Sequence, residues 1–149
     1  MNHYHITGNL LYIDADIICQ QVNCQGVMGA GLAKAIREKW PVVYSEYKKL
    51  CDSKTPEELL GKIQLIRVEP NKYVLNIFGQ LGYGRDKVYT DYSALEEAFK
   101  SIEKDFKDYT IAMPELLGCG LAGGDPVKVK ELAYANIKTP KVYHVTLLK

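Results

Sequence analysis

The stretch from Gln21 to Trp40 constrains this chain most. An apolar strand, Asp16 to Val22, runs into Asn23. A loop with Gly26, Gly29 and Gly31 follows, and a helix then carries Leu32, Ile36 and Trp40 on one face. Strand, glycine loop and helix together aim backbone N–H groups at one point, because the first helical turn has unpaired donors and the positive end of the dipole. The spacing matches neither G-x-G-x-x-G nor G-x-x-x-x-G-K-[ST], so it is neither a dinucleotide fingerprint nor a P-loop. Two readings stay open at this point: a tight turn that needs glycine, and a cradle for an anionic ligand.

Size and charge narrow the classes. A chain of 149 residues suits one domain, taken as 1–149, and a hydrophobic content of 47% supports a real core. Nineteen basic against 18 acidic side chains give a net charge of +1. No basic excess marks a nucleic-acid groove, and no lysine cluster marks a membrane surface. The N-terminus lacks the apolar core of a signal peptide, and no apolar run approaches the roughly 18 residues of a membrane span. Cys19, Cys24, Cys51 and Cys119 form no C-x-x-C pair and no zinc spacing. Reduced thiols, a cytoplasmic location and a monomer are the expectations.

Periodicity then orders the chain. His3 to Thr7 alternates and reads as a strand. Asp16 to Val22 reads as a strand buried on both faces. Pro41 opens a second helix with Val43, Tyr47 and Leu50 on one side. Lys54 to Leu60 is a polar loop with a helical turn. Ile63 to Val68 and Tyr73 to Phe78 flank Glu69-Pro70-Asn71-Lys72, which predicts a hairpin. Gly79 to Tyr89 is a long, aperiodic glycine segment, and loops of that length in a compact domain are more often functional. Tyr92, Leu95, Phe99, Ile102 and Phe106 form the clearest helical stripe, capped by Thr90 or Asp91. Thr110 to Met113 is a short strand ending at Pro114. Glu115 to Gly124 is a second glycine loop, and Asp125-Pro126 opens a helix to about Lys138. Val142 to Leu148 closes the chain. The pattern predicts an α/β fold with a mixed sheet of about six strands and helices on both faces.

Ligands in open α/β sheets sit beyond the carboxyl ends of parallel strands. The loops after Val22, Phe78 and Met113 all leave strand ends, and all are rich in glycine. If the strands are parallel, these loops share one crevice suited to a phosphate-bearing ligand. Asn23 offers an amide that holds a ribose hydroxyl or, equally well, builds a local turn. Asp125 is first a helix cap and could also act on a water. Arg85 could meet a phosphate in two places, or simply stay solvated. Cys24 and Cys119 read as small buried thiols, and His3, His5 and His144 as strand side chains rather than metal ligands, so no metal or cofactor site is expected.

Gly8-Asn9-Leu10, Val22-Asn23-Cys24-Gln25-Gly26-Val27-Met28-Gly29-Ala30-Gly31, and Met113-Pro114 through Gly118-Cys119-Gly120-Leu121-Ala122-Gly123-Gly124-Asp125 resemble the macro domain family in order and spacing. The similarity spans essentially the whole chain. It is greatest to the compact branch that includes ADP-ribose-1″-phosphate phosphatase, terminal ADP-ribose glycohydrolase, and phage and bacterial relatives. The resemblance implies a three-layer α/β/α sandwich, with a mostly parallel sheet, that binds ADP-ribose. Gly8, Asn9 and Leu10 would lie near the adenine. Gly26, Val27, Met28, Gly29, Ala30 and Gly31 would wrap the distal ribose and diphosphate. Gly118, Cys119, Gly120, Leu121, Ala122 and Gly123 would close over the phosphates, with Gln80 and Arg85 on the middle loop.

Four positions depart from the family pattern. Asn9 replaces a common Asp. Thr146-Leu147-Leu148 offers no aromatic at the last strand. Gln80 stands where one hydrolase subgroup has a lysine, and Gln20 where the phosphatase-like relative has a histidine. Neither glutamine forms a Schiff base or serves as a strong base. The resemblance therefore implies ADP-ribose binding, with hydrolysis of an ADP-ribosylated protein or nucleic acid or of ADP-ribose-1″-phosphate resting on Asn23, Asp125 and a held water. The alternatives are a reader that binds without turnover and a binder of another nucleotide metabolite.

Overall fold

The structure is a computed structural model and describes residues 2–120, 122–138 and 140–147. Its strands are β1 His3–Gly8, β2 Ile17–Asn23, β3 Ile63–Glu69, β4 Lys72–Gln80, β5 Ile111–Pro114 and β6 Val142–Leu147. Its helices are α1 Gly31–Lys39, α2 Pro41–Ser53, the short α3 Pro56–Leu59, α4 Tyr92–Phe106 and α5 Pro126–Asn136. The sheet runs β1-β6-β5-β2-β4-β3, with every neighbour parallel except the β3–β4 hairpin. This is the mixed, mostly parallel six-stranded sheet that the pattern predicts. No helix among the described residues is long and apolar enough to cross a membrane.

Helices cover both faces, so β2 is apolar on both. Ile18 and Val22 of β2 pack with Val74, Phe78, Ile36, Val43 and Tyr47 on the side of α1 and α2. Ile17 and Cys19 point the other way, into Leu75, Ile77, Leu95, Phe99, Ile102 and Ala133 beneath α4 and α5. The stripe on α4 lies where its spacing puts it, with Leu95, Phe99 and Ile102 fully buried. The Asp91 side chain accepts from the Ala94 N–H, which settles the capping of α4 in favour of Asp91.

Several boundaries differ from the sequence reading. β4 continues through Gly79 and Gln80, because Gln80 bridges to Thr90 and shortens the loop between them. β5 includes Pro114, which a strand's last position tolerates. Trp40 is not on the face of α1 but forms the corner between α1 and α2, its indole N–H donating to Glu69 at 3.1 Å. α5 stops at Asn136. Leu148 lies outside the described residues.

One buried polar ladder crosses the sheet on the α2 side. Gln20 and Gln64 are the direct cross-strand partners of Asn76. Gln20 Nε2 donates to Asn76 Oδ1 at 2.8 Å, Asn76 Nδ2 donates to Gln64 Oε1 at 3.1 Å, and Gln64 Nε2 donates to the Glu46 carbonyl of α2 at 3.1 Å. Gln20 and Asn76 are essentially inaccessible. The ladder fixes the Gln20 amide, because each group is both held by a neighbour and holding one. Asn76→Ala orphans the Gln20 donor and the Gln64 acceptor and leaves a small void. The expected loss is about 2–4 kcal/mol of unfolding free energy, read as a lower denaturant midpoint at unchanged slope.

Candidate functional site

A cavity of about 540 Å³ opens at the carboxyl ends of β2, β4 and β5. Its floor is Gln20 to Asn23. Val27 to Ala33 make one wall, and Pro114, Leu116 to Gly118, Gly120 and Ala122 make the opposite one. Gln80 and Tyr83 to Arg85 cover the third side, and Leu147 closes the edge. The three glycine loops therefore do share one crevice, as parallel strands require.

The floor carries two consecutive glutamines whose side chains leave opposite faces of β2. Gln20 points into the ladder, and its Oε1 is buried without a partner. Gln21 Nε2 donates to Gln80 Oε1 at 2.8 Å and to Thr90 Oγ1 at 3.0 Å. Gln80 Nε2 donates on to the Gly82 carbonyl at 2.8 Å, and Thr90 Oγ1 to the Gly118 carbonyl at 2.5 Å. One side chain thus latches the loops after β4 and β5 to the end of β2. A Cβ at Gly79 or Gly118 would stand 2.5 or 2.6 Å from Gln21 Oε1, and Gly118 also has φ +72°. These two glycines exist so that the latch fits.

The first wall is backbone. α1 begins at Gly31 behind Ala30, which supplies no capping side chain. The first-turn N–H groups of α1 therefore meet the cavity with no acceptor among the described residues. Gly29 and Gly120 face each other's side of the crevice with φ in the ordinary range, and a Cβ at either would meet nothing within 4 Å. Arg85 is the one charged side chain in the described lining, and it makes no hydrogen bond or ion pair among the described residues.

Asn23 lines the floor with its amide largely engaged. Its Oδ1 accepts from the Gln25 N–H at 2.9 Å and from the Tyr47 hydroxyl at 2.8 Å, and its Nδ2 donates to the Val27 carbonyl at 2.8 Å. Of the two sequence readings, the local turn is realised; one Nδ2 hydrogen stays free for a ligand. Burial holds the Tyr47 hydroxyl far above its ordinary value, so it remains a donor to Asn23. Burial also pushes the Cys24 thiol up to about 12 and raises Cys119, so neither is a thiolate nucleophile.

Other expected residues fall elsewhere. Val27, Met28, Gly29, Ala30, Gly31, Gly118, Gly120, Ala122, Gln80 and Arg85 line the cavity, whereas Gly8, Asn9, Leu10, Gly26, Cys119 and Gly123 do not. The Asn9 side chain caps a short turn through the Leu11 N–H, and Leu10 is core. Gly26 backs onto Lys48 and Cys51 of α2. Leu121 lies outside the described residues. Asp125 is an exposed cap whose Oδ1 accepts from the Val127 N–H at 3.0 Å, and it does not line the cavity. A helix start is most open to an anion where nothing caps it. Of the two expected to face the crevice, α1 is open and α5 is capped by its own aspartate. Gln21 and Thr90 were missed as site-building residues. The available signal was a Gln-Gln pair inside an otherwise apolar strand.

Gln21→Ala removes the latch. Amide hydrogen exchange should then quicken across 81–90 and 118–124 while α4 keeps its protection, with a loss of about 1–3 kcal/mol in stability. Unchanged exchange in those loops would refute the latch.

Comparison with known proteins adds the following. A family model described as Macro domain matches residues 19–133. A DNA ADP-ribosyl glycohydrolase from Mycobacterium tuberculosis is 32% identical over 73 residues, which is 47% of this chain but only 20% of that relative's length. A protein of unknown function from Bacteroides thetaiotaomicron superposes with a TM-score of 0.85 at 27% identity, covering 99% of both chains. The Thermosipho africanus DarTG structure in complex with ADP-ribose superposes with a TM-score of 0.80 at 21% identity, covering 97% of this chain and 42% of that one.

Proposed function

Because this chain belongs to the macro domain family, we propose that its cavity binds ADP-ribose and that the protein hydrolyses an ADP-ribose derivative, either an ADP-ribosylated protein or nucleic acid or ADP-ribose-1″-phosphate. The observation that carries the binding is the uncapped start of α1 at the cavity wall, between two glycines with open space before them. A diphosphate supplies acceptors for those donors, and the positive end of the helix favours its charge. Arg85 adds the one charge in the described lining, of the matching sign. The free Asn23 N–H suits a ribose hydroxyl, whose oxygen can accept from it. The Thermosipho africanus DarTG structure, part of which superposes on this fold, is a complex with ADP-ribose.

The chemistry follows from what the lining lacks. Among the described residues no carboxylate, histidine or lysine lines the cavity. Hydrolysis would then draw its rate from holding the substrate and a water in place and from fixed N–H dipoles, with no strong protein base. The 32% identity to a DNA ADP-ribosyl glycohydrolase supports turnover of an ADP-ribosyl bond. The same lining favours a second reading, a reader that binds ADP-ribose without turning it over.

Binding and turnover separate in two measurements. ADP-ribose at 100 times its dissociation constant should stabilise the fold by about 2.7 kcal/mol, whereas AMP and NAD should do less. Gly120→Val fits the free protein, so it should keep the melting temperature and lose the ADP-ribose shift. No shift at millimolar ADP-ribose would end the binding proposal. Incubation with ADP-ribosylated DNA, ADP-ribosylated protein and ADP-ribose-1″-phosphate should then release product from at least one. Binding without any release would leave the reader. Arg85→Ala should weaken ADP-ribose binding about tenfold, the effect of losing one exposed charge-assisted contact. Asp125→Ala should cost about 1 kcal/mol of stability through the lost cap. Unchanged turnover in that variant would exclude Asp125 as the base that the sequence suggested.

A further inference from the structure

His3 and His5 of β1 meet His144 of β6, which is far from them in sequence, at the β1–β6 edge of the sheet. His5 and His144 are direct partners on parallel strands, and Glu115 follows β5 beside them. One donor atom from each of His5, Glu115 and His144 lies within 4.8 Å of the other two. We propose that these three residues form a site for a divalent transition metal of the zinc class, outside the cavity. Two imidazoles and one carboxylate are the donor set that zinc takes, and the partial exposure of His5 leaves a path and a fourth position for water.

The surrounding hydrogen bonds set each donor. The Ile137 carbonyl can only accept, so His3 Nε2 carries its proton and donates to it at 2.8 Å. In neutral His3, Nδ1 then accepts from His144 Nε2 at 2.8 Å. That leaves the His144 lone pair on Nδ1. Lys130 holds Glu115 Oε1 at 2.5 Å, while Oε2 faces His5 Nδ1 at 2.9 Å and remains available. His5 Nε2 lies 2.6 Å from the Tyr134 hydroxyl. When the metal takes Nδ1 of His5, the ring's one proton moves to Nε2 and donates to that hydroxyl. Metal-bound histidines nearly always have their second nitrogen satisfied in this way. The site ties three pieces of chain together. Pro114 and Leu116, on either side of Glu115, line the cavity, so the ion would brace that wall from behind.

The test titrates chelator-stripped protein with zinc by calorimetry and with cobalt by visible absorption. One zinc per chain is expected, together with cobalt bands that lack thiolate charge transfer. His5→Gln changes an exposed side chain and should keep the fold. It should weaken zinc at least tenfold, and Glu115→Gln should do the same. Unchanged zinc affinity in folded His5→Gln, a thiolate band from the cysteines, or no saturable binding by the wild type would each overturn the assignment.

Discussion

The Gln21 side chain is the interaction on which the site depends. β2 is the strand that both helical layers cover, so a polar group on it must find its partners within the protein. Gln21 finds them at the two ends of the loop after β4, Gln80 and Thr90, and those two reach the Gly82 carbonyl and, on the loop after β5, the Gly118 carbonyl. The loop after β4 carries little apolar anchorage of its own, with Leu81, Tyr83 and Val88 exposed, whereas Leu117 anchors the loop after β5 in the core. Hydrogen bonds to the rigid strand take the place of packing in the first of these loops. The Tyr89 N–H to Ala122 carbonyl bond, at 2.8 Å, joins the two loops to each other.

The same strand separates scaffold from site by its pleat. Gln20 faces the α2 side and is held by Asn76. Gln21 faces the α4 side and holds the loops. Each glutamine uses its amide N–H₂ on the protein and leaves its carbonyl oxygen unpaired. Buried orphan acceptors cost free energy in the empty protein. The demand on a ligand is made elsewhere: the uncapped start of α1 calls for acceptors and negative charge at the wall, and the one free Nδ2 hydrogen of Asn23 calls for an acceptor at the floor. A sugar attached to a diphosphate meets both.

How much of this was legible in the sequence depends on the range of the interaction. Period-2 and period-3.6 patterns are local, and they placed β2, the hairpin and α4 nearly to the residue. The shared crevice followed from which loops were glycine-rich, because parallel strands bring their carboxyl ends together; the strand order itself had no such signal. Side-chain partners separated by 60 or more residues had no local trace. Gln21 meets Thr90 across 69 positions, and His3 meets His144 across 141. Asn23 shows the limit from the other side. Its residue type allowed both a turn and a ribose contact, and only the position of Tyr47, brought in by α2, shows how far the turn uses the amide. Asp125 is realised as the cap that its Pro126 neighbour signals, and it is not among the residues that line the cavity.

The placement of charge argues for how chemistry could proceed here. Nineteen basic and 18 acidic side chains nearly cancel over the chain, yet only Arg85 reaches the described lining. Several carboxylates on the neighbouring loops and helix starts already have partners: Asp86 accepts from the Tyr89 hydroxyl, Asp91 caps α4, Asp125 caps α5, and Glu115 pairs with Lys130. Freeing one of these would cost a hydrogen bond, a cap or an ion pair. A base recruited to this site would have to come from the ligand itself, for example a phosphate oxygen held against the α1 N–H groups. Those donors lower the basicity of the oxygens they bind while fixing their position. The arrangement therefore favours orientation over proton-transfer strength.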